Sequence, residues 1–296
     1  MIPSSFDYVA PSSLDEAIAV LGEHAGEAKI LSGGQSLIPM LKLRLAAPTV
    51  LVDINRIGGL DYIEEREGAL CIGALARERD LEASAVVREK YPILLDTARV
   101  IADPLVRNTA TVCGNIAHGD PGNDHPATMI ALGARVVARG PNGTRSIPAR
   151  EFFLGLFTTA LTDDEIVTEL VVPAPPPRSG GAYLKLERKV GDFATAAVAA
   201  QITLDVQNVC TRAGIALTNV GATPIPAGDA EAFLVGKSMD DVTIAQAARL
   251  AAAAADPFED RRGSADYKRD IVRVLTMRAL RTAAARAQGA TTAGRA

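Results

Sequence analysis

Ile30-Leu-Ser-Gly-Gly-Gln-Ser-Leu37 is the stretch on which the fold turns. Lys29–Leu31 before it reads as a short strand, and Leu37–Leu45 after it as a short helix stopped before Pro48. Two adjacent glycines between strand and helix let the backbone turn sharply and come close to a ligand without side-chain interference. Amides at the start of the next helix then face an anion, and Gln35 and Ser36 add side-chain hydrogen bonds. The plain alternative is a strand-to-helix turn, and this segment alone leaves both readings open.

Upstream, Ser13-Leu-Asp-Glu16 is a capping box, followed by Leu14, Ala17, Ile18 and Leu21 on one helical face. Downstream, Thr49-Val-Leu-Val-Asp-Ile54 is a buried strand. Asp53 stands nineteen residues after Gly34, where a Rossmann unit places its ribose-binding acid. The glycine pattern opposes that fold, because Gly33 and Gly34 are adjacent and no third glycine follows at the required offset. Asp53 is therefore read as a strand-end cap.

A second donor-rich segment runs Arg107-Asn-Thr-Ala-Thr-Val-Cys-Gly-Asn-Ile-Ala-His-Gly-Asp-Pro-Gly-Asn-Asp124. It is expected to be a long loop ordered by something it binds, with an ornate surface loop as the alternative. Two such segments about eighty residues apart suggest a dinucleotide held by its pyrophosphate. Between them lie a hairpin over 60–80 turning at Glu67-Gly68 and a helical pattern over 77–100 broken at Pro92. Beyond them come strands over 135–138 and 165–172. Pro173-Ala-Pro-Pro-Pro-Arg-Ser-Gly-Gly181 reads as an extended spacer between domains. Strands over 183–188, 196–206 and 210–217 then suggest an antiparallel meander, with helices over 243–255 and 264–287. The second helix carries a stripe of Tyr267, Ile271, Val274 and Leu275; 289–296 reads as a loose tail.

Composition narrows the classes. A chain of 296 residues, 48% hydrophobic and 22% charged, is neither disordered nor repetitive and has room for two domains. No apolar run reaches 18 residues, and the first residues carry no secretion pattern. Cys71, Cys113 and Cys210 are far apart and, with His24, His118 and His125, form no metal-ligand spacing, which predicts unpaired thiols in a reducing cytosol. Residues 261–296 hold nine Lys/Arg against two Asp/Glu, a charge of +7, while the remainder carries −11. The acidic body argues against nucleic-acid binding. The basic stretch reads as a solvated helix face, with a docking surface for an acidic partner as the alternative.

The two donor-rich segments resemble the FAD-binding signatures of the flavin (medium) subunits of molybdenum hydroxylases, which include carbon monoxide, xanthine and nicotine dehydrogenases. The first signature there is Ala-Gly-Gly-(His/Gln)-Ser-Leu, matched by Ser32–Leu37 except at Ser32. The second is Thr-(Ile/Val)-Gly-Gly-Asn, matched by Thr111–Asn115 except at Cys113. Phe6-Asp-Tyr-Val-Ala-Pro11, Val52-Asp-Ile-Asn55, Gly191-Asp-Phe-Ala194 and Gly221-Ala-Thr-Pro-Ile-Pro226 extend the similarity over nearly the whole chain. Length and the proline-marked boundary are most similar to the carbon monoxide dehydrogenase medium subunit.

The resemblance implies an α+β chain. A PCMH-type FAD-binding region of two α/β subdomains would occupy 1–175, breaking near 55–60. A small α+β domain with a three-stranded antiparallel sheet and helices would occupy 178–288. FAD would be held by Ile30, Leu31, Ser32, Gly33, Gly34, Gln35, Ser36 and Leu37, and by Thr111, Val112, Cys113, Gly114 and Asn115, chiefly through backbone amides. Ile101 would shield the ring, Asp124 would hold a ribityl or ribose hydroxyl, Val167 would touch the flavin edge, and Lys185 would approach its polar edge. No catalytic residue and no metal ligand is expected in this chain. The resemblance also implies a small [2Fe–2S] subunit and a large molybdenum-cofactor subunit, assembled as a dimer of heterotrimers. Electrons would pass through this cytoplasmic subunit to an external acceptor such as a quinone, at the inner membrane face if partners carry it there. Carbon monoxide is the first substrate expected of the whole enzyme, with a purine, nicotine or other N-heterocycle as the alternative and a self-sufficient flavin oxidase behind both.

A glycine at the place of Cys113 suggests positive φ or close ligand approach, so a cysteine there is expected to loosen FAD and Cys113→Gly to tighten it. His118 and His125 are read as hydrogen-bonding residues of the loop, and Cys71 and Cys210 as core.

Overall fold

The computed structural model describes residues 2–290, so the expected tail at 289–296 lies largely outside the described residues. Three sheets and a two-stranded ribbon organise the described residues. The first sheet is parallel, in the order Asp7–Val9, Val50–Asp53, Ala28–Leu31. Its cover is the Leu14–Glu23 helix, which sets Ala17, Ile18 and Leu21 against Val50, Val52 and Ile54. Ser13 caps it by accepting from the Glu16 amide, but the Glu16 carboxylate accepts from the Ser12 amide at 2.8 Å, one residue earlier than a capping box requires.

The second sheet is antiparallel, in the order Ile63–Arg66, Ala69–Gly73, Ile166–Pro173, Arg135–Gly140, Gly143–Pro148. Glu67 and Gly68 both take positive φ, 51° and 76°, which suits the twist of the hairpin they close. The expected helical stretch breaks twice, into Glu78–Ala83, Ala85–Lys90 and Pro92–Arg99. The extra break falls at Ser84, whose extended backbone lets its hydroxyl accept from Val87 at the head of the second helix. The stretch expected as a long loop contains a further helix, Val112–Ala117. Thr111 caps it by accepting from the Gly114 amide, and such a cap offsets the turn-forming tendency of the glycines.

Ser179–Leu186, Ala196–Leu204 and Cys210–Thr218 form the expected meander, extended by the short strand Ile225–Pro226. The first strand begins at Ser179, because the Gly180-Gly181 pair is ladder rather than spacer. A Cβ on Gly180 would lie 2.1 Å from the Ala283 carbonyl, so glycine is what lets the Ala265–Ala287 helix press on this sheet. The buried stripe of that helix includes Lys268, Val272, Leu275, Ala279, Leu280 and Ala283; of the stripe expected only Leu275 belongs to it, Ile271 and Val274 are half-buried and Tyr267 is exposed. The buried Lys268 hid where that face begins. Its ammonium reaches Asp260 at 2.8 Å and the Phe258 carbonyl at 3.0 Å, which compensates its burial.

The basic C-terminal residues are largely paired: Arg262 with Asp192, Arg273 with Asp270, Arg281 with Asp241, and Arg286 with Asp96. One core runs across the proline stretch. Tyr183, Ala197, Ala199 and Ala216 of the third sheet pack with Ile93, Leu94, Met129 and Leu170 in a single apolar cluster. The helices Pro92–Arg99 and Asp124–Leu132 lie between the second and third sheets and join them.

Candidate functional site

Where the parallel sheet, the antiparallel sheet and the meander meet, a cavity of about 660 Å³ opens. Its first wall is the turn from the Ala28–Leu31 strand into the Leu37–Leu43 helix. Gly34 takes φ +71°, the left-handed region that a side chain rarely adopts, and so completes the sharp turn. Gly33 answers a different demand. A Cβ there would stand 2.6 Å from the Thr109 carbonyl oxygen, 2.7 Å from Ala110 Cα and 2.8 Å from the Thr111 amide. The two donor-rich segments therefore touch backbone to backbone. Side chains fasten the contact: Ser32 and Thr111 share a hydroxyl hydrogen bond at 3.0 Å, and Gln35 Nε2 donates to Thr109 Oγ1 at 2.6 Å.

Among the described residues, the amides of Gly33, Gly34, Gln35 and Ser36 donate to no protein acceptor. All four residues line the cavity. Asn115, on the opposite wall, has a buried Oδ1 without a protein partner. Unengaged amides and one buried carboxamide oxygen lining a single cavity are the donor and acceptor set that a polar ligand would meet. The arrangement fits the pyrophosphate and hydroxyls of a dinucleotide.

Ile101, Asp124, Val167 and Lys185 border the same cavity, as do Ile30, Ser32 to Leu37, Thr111 and Cys113 to Asn115. Leu31 and Val112 do not: Val112 is fully buried in the core beneath. The Asp124 carboxylate accepts from Tyr183 Oη at 2.6 Å and from Lys185 Nζ at 3.0 Å. Lys185 Nζ also donates to the Val100 carbonyl at 3.0 Å, and Glu187 stands 3.4 Å away. Burial pushes the Asp124 carboxyl up from its ordinary range, against the pull of the Lys185 charge. Burial, then the adjoining Asp124 charge, drives the Tyr183 hydroxyl well above its usual value, so it stays a donor. A carboxylate accepts up to about four hydrogen bonds, which leaves Asp124 capacity for a ligand hydroxyl.

The strain expected at Cys113 is absent. The residue sits in the Val112–Ala117 helix without positive φ, and its buried thiol packs 3.5 Å from the carbonyls of Ile72 and Gly73. The side chain fills core, so Cys113→Gly is expected to cost about 1–2 kcal/mol of stability through a lost contact and a flexible helix residue. Denaturant unfolding of both proteins checks this, and a more stable glycine variant would contradict it. Burial pushes the Cys113 thiol far up, which keeps it protonated in the folded chain. Cys71 and Cys210 are also buried and free.

His118 and His125 part company. His125 lies in the Asp124–Leu132 helix, fully buried, with Nε2 2.8 Å from Glu78 Oε2 and away from the cavity. His118 lines the cavity, its ring centroid 5.1 Å from that of Phe157. Burial lowers the His118 pKa below the ordinary 6.5. The unfolded chain therefore binds a proton that the folded chain refuses, so stability is lost as pH falls below about 6.5 toward the folded value. Thermal melts from pH 7.5 to 5 should show this slope reduced in His118→Gln; equal slopes would rule out His118 as its source.

Sequence reasoning did not anticipate Phe157, Thr158 and Thr159 of the two-stranded ribbon, or Tyr183 behind Asp124; Gly122 was quoted only within the second donor-rich segment. Phe193, which also lines the cavity, was quoted only within a matching motif. Thr111 before an apolar run was a legible helix cap.

Comparison with known proteins gives consistent matches. The family model described as FAD binding domain in molybdopterin dehydrogenase matches residues 4–175. That of the CO dehydrogenase flavoprotein C-terminal domain matches 181–283. The chain is 46% identical to a carbon monoxide dehydrogenase medium chain of Hydrogenophaga pseudoflava, over 97% of this chain and 99% of that one. It is 38% identical to the 6-hydroxypseudooxynicotine dehydrogenase complex subunit alpha of Paenarthrobacter nicotinovorans, over 97% of each. Among solved structures, carbon monoxide dehydrogenase from Hydrogenophaga pseudoflava superposes with a TM-score of 0.94 at 48% identity, covering 97% of this chain and 99% of that chain. Quinoline 2-oxidoreductase from Pseudomonas putida 86 superposes with a TM-score of 0.90 at 34% identity, covering 97% and 99%.

Proposed function

The chain belongs to the family of FAD-carrying flavoprotein subunits of molybdenum hydroxylases, and from that premise we propose that it relays electrons within a carbon monoxide dehydrogenase. It would receive them from a [2Fe–2S] partner subunit, downstream of a molybdenum-cofactor subunit, and deliver them to an external acceptor. The observation that carries this reading is the cavity where four unengaged amides of residues 33–36 face the second donor-rich segment. FAD, when bound, supplies a ring that takes up and releases electrons singly or in pairs.

The protein's own residues do the rest. The amides of 33–36 hold the pyrophosphate; in the Thr111–Asn115 segment the amides of Val112, Gly114 and Asn115 are engaged within the chain, and the Asn115 carboxamide oxygen accepts from a ligand hydroxyl or amide. Ile101 and Val167 give the ring an apolar wall and exclude water from it. Lys185, fixed by Asp124 and the Val100 carbonyl, keeps a positive charge near the cavity, which favours electron-rich ring states. Asp124 holds Lys185 in place and accepts from a sugar or ribityl hydroxyl with its remaining lone pairs. Residues up to about 175 would form the FAD-binding domain, with the remainder closing the cavity through Lys185.

Among the described residues, no group of three His, Cys, Asp or Glu side chains is placed to hold a metal ion. The reading assigns the metal centres to the partner subunits, in a dimer of heterotrimers. No helix among the described residues is long and apolar enough to cross a membrane; the reading places the complex in the cytoplasm, reaching the membrane face only through partners.

Purification with the co-purifying polypeptides tests the proposal. Flavin and iron–sulfur absorption with two partner chains and carbon monoxide-dependent dye reduction support it, and a colourless monomer overturns it. The likeness to a 6-hydroxypseudooxynicotine dehydrogenase subunit at 38% identity and to quinoline 2-oxidoreductase at 34% favours a second substrate class, an N-heterocycle. Dye reduction with such a heterocycle, and none with carbon monoxide, would move the assignment there.

A further inference from the structure

Beside the two cavity loops, and outside the cavity's lining, lies a chain of hydrogen bonds that the flavin reading does not use. Asn55 follows the Val50–Asp53 strand in a short 3-10 turn, capped by Asp53, whose Oδ1 accepts from the Asn55 amide at 2.9 Å. Tyr8 Oη donates to the other Asp53 oxygen at 2.5 Å, tying the turn to the first strand. Although burial tends to raise it, the Asp53 pKa is held below its usual range by the Tyr8 and Asn55 hydrogen bonds.

Thus fixed, Asn55 points its carboxamide both ways. Nδ2 donates to the Ser32 carbonyl at 2.9 Å, on the first loop. Oδ1 accepts from Arg77 Nη2 at 2.7 Å. The same guanidinium, through Nη1, donates to the Thr109 carbonyl at the second loop. The Arg77 backbone bridges to Thr111, and the amides of Glu78 and Val112 bind the Ala110 and Ala76 carbonyls at 3.0 and 3.1 Å. Neither Arg77 nor Asn55 borders the cavity.

We infer that Asn55 and Arg77 form a clasp that sets the two FAD-holding loops in register from outside the cavity's lining, making both positioning residues for cofactor retention. The inference rests on the flavin reading above. In a trans peptide, C=O and N–H point in opposite directions. Holding the Ser32 carbonyl outward on Asn55 thus turns the Gly33 amide inward to the cavity. Arg77 does the equivalent for spacing: its planar fork spans Asn55 and Thr109 at once, a geometry that a lysine ammonium reproduces only in part. The direct loop contacts at Gly33, Ser32 and Gln35 then need no adjustment when the cofactor arrives.

The test uses the full chain with its co-purifying subunits. FAD is removed and rebound to wild type, Arg77→Met, Asn55→Ala, the double variant and Arg77→Lys. The FAD dissociation constant and the thermal midpoint of the FAD-free protein are both recorded. Each single variant is expected to weaken FAD about 10- to 100-fold, the range for a lost charge-assisted hydrogen bond. Because the two residues act as one unit, the double variant should lose little beyond the larger single loss. Arg77→Lys should recover part of the affinity. If Arg77→Met does not accumulate folded, Asn55→Ala, which leaves Arg77 on Thr109, carries the comparison alone. FAD binding within about twofold of wild type in the folded variants would overturn the clasp, as would losses that add independently or merely follow the midpoint. A wild-type protein that binds no FAD would overturn the flavin reading instead.

Discussion

Asp124→Ala is expected to destabilise the folded chain by about 3 kcal/mol, because it removes the nearer of two counter-charges from the buried Lys185 ammonium and leaves it Glu187 at 3.4 Å and the Val100 carbonyl. The side chains of Asp124 and Lys185 are 7% and 2% exposed, so neither charge has water in place of the other. The variant also frees Tyr183, whose hydroxyl would keep only Thr218 Oγ1 at 3.3 Å. Denaturant unfolding of the FAD-free protein reads the effect. Pairing the change with Lys185→Met removes the ammonium as well, and the double variant should be more stable than Asp124→Ala alone. A loss below about 1 kcal/mol would mean that the pair behaves as a solvated surface bridge. The sign follows from desolvation: making the pair is worth little, and breaking one side of it is costly.

Gly33→Ala should have the second large effect, on flavin retention more than on folding. The new Cβ would meet Thr109, Ala110 and Thr111 backbone atoms at 2.6–2.8 Å, and backbone cannot rotate away as a side-chain end can. The loops must part, stretching the Ser32–Thr111 and Gln35–Thr109 bonds. Overpacking of this kind costs about 1–3 kcal/mol, and a shift in loop spacing should weaken FAD at least about tenfold. Gly22→Ala is the control: it lies in the first helix with nothing within 4 Å of the added carbon. Flavin content unchanged in Gly33→Ala would show that the loops tolerate separation.

The readable parts of this fold were those where neighbouring residues decide the geometry. The strand, double glycine and helix around 30–37, the Glu67-Gly68 turn and the antiparallel meander each follow from local propensity and period. The family resemblance supplied the residues that border one cavity, though Leu31 and Val112 lie off its wall. Polar groups buried through distant partners were not legible. Tyr183 meets Asp124 across 59 residues, and Arg77 meets Asn55 across 22. Nothing in the spacing of a tyrosine, an asparagine or an arginine announces such a partner. Lys268 shows the same failure in a helix. A charged residue at the head of a buried face disguised where that face begins. The strain expected at Cys113 failed for a related reason: a departure from a signature says that something differs, while only the helix it occupies says that its backbone is unstrained.

The apolar cluster that crosses the proline stretch also bears on how such chains can be inherited. The two family models meet between residues 175 and 181, as if this were a seam at which segments could be exchanged. Yet Tyr183, Ala197, Ala199 and Ala216 fill spaces shaped by Ile93, Leu94, Met129 and Leu170 on the other side. A recombination at the prolines would join two sequences at a point of little backbone consequence and leave a mismatched interior. The part of the chain whose interior is matched therefore extends across the prolines, and a chimera of two relatives joined there is expected to melt below both parents.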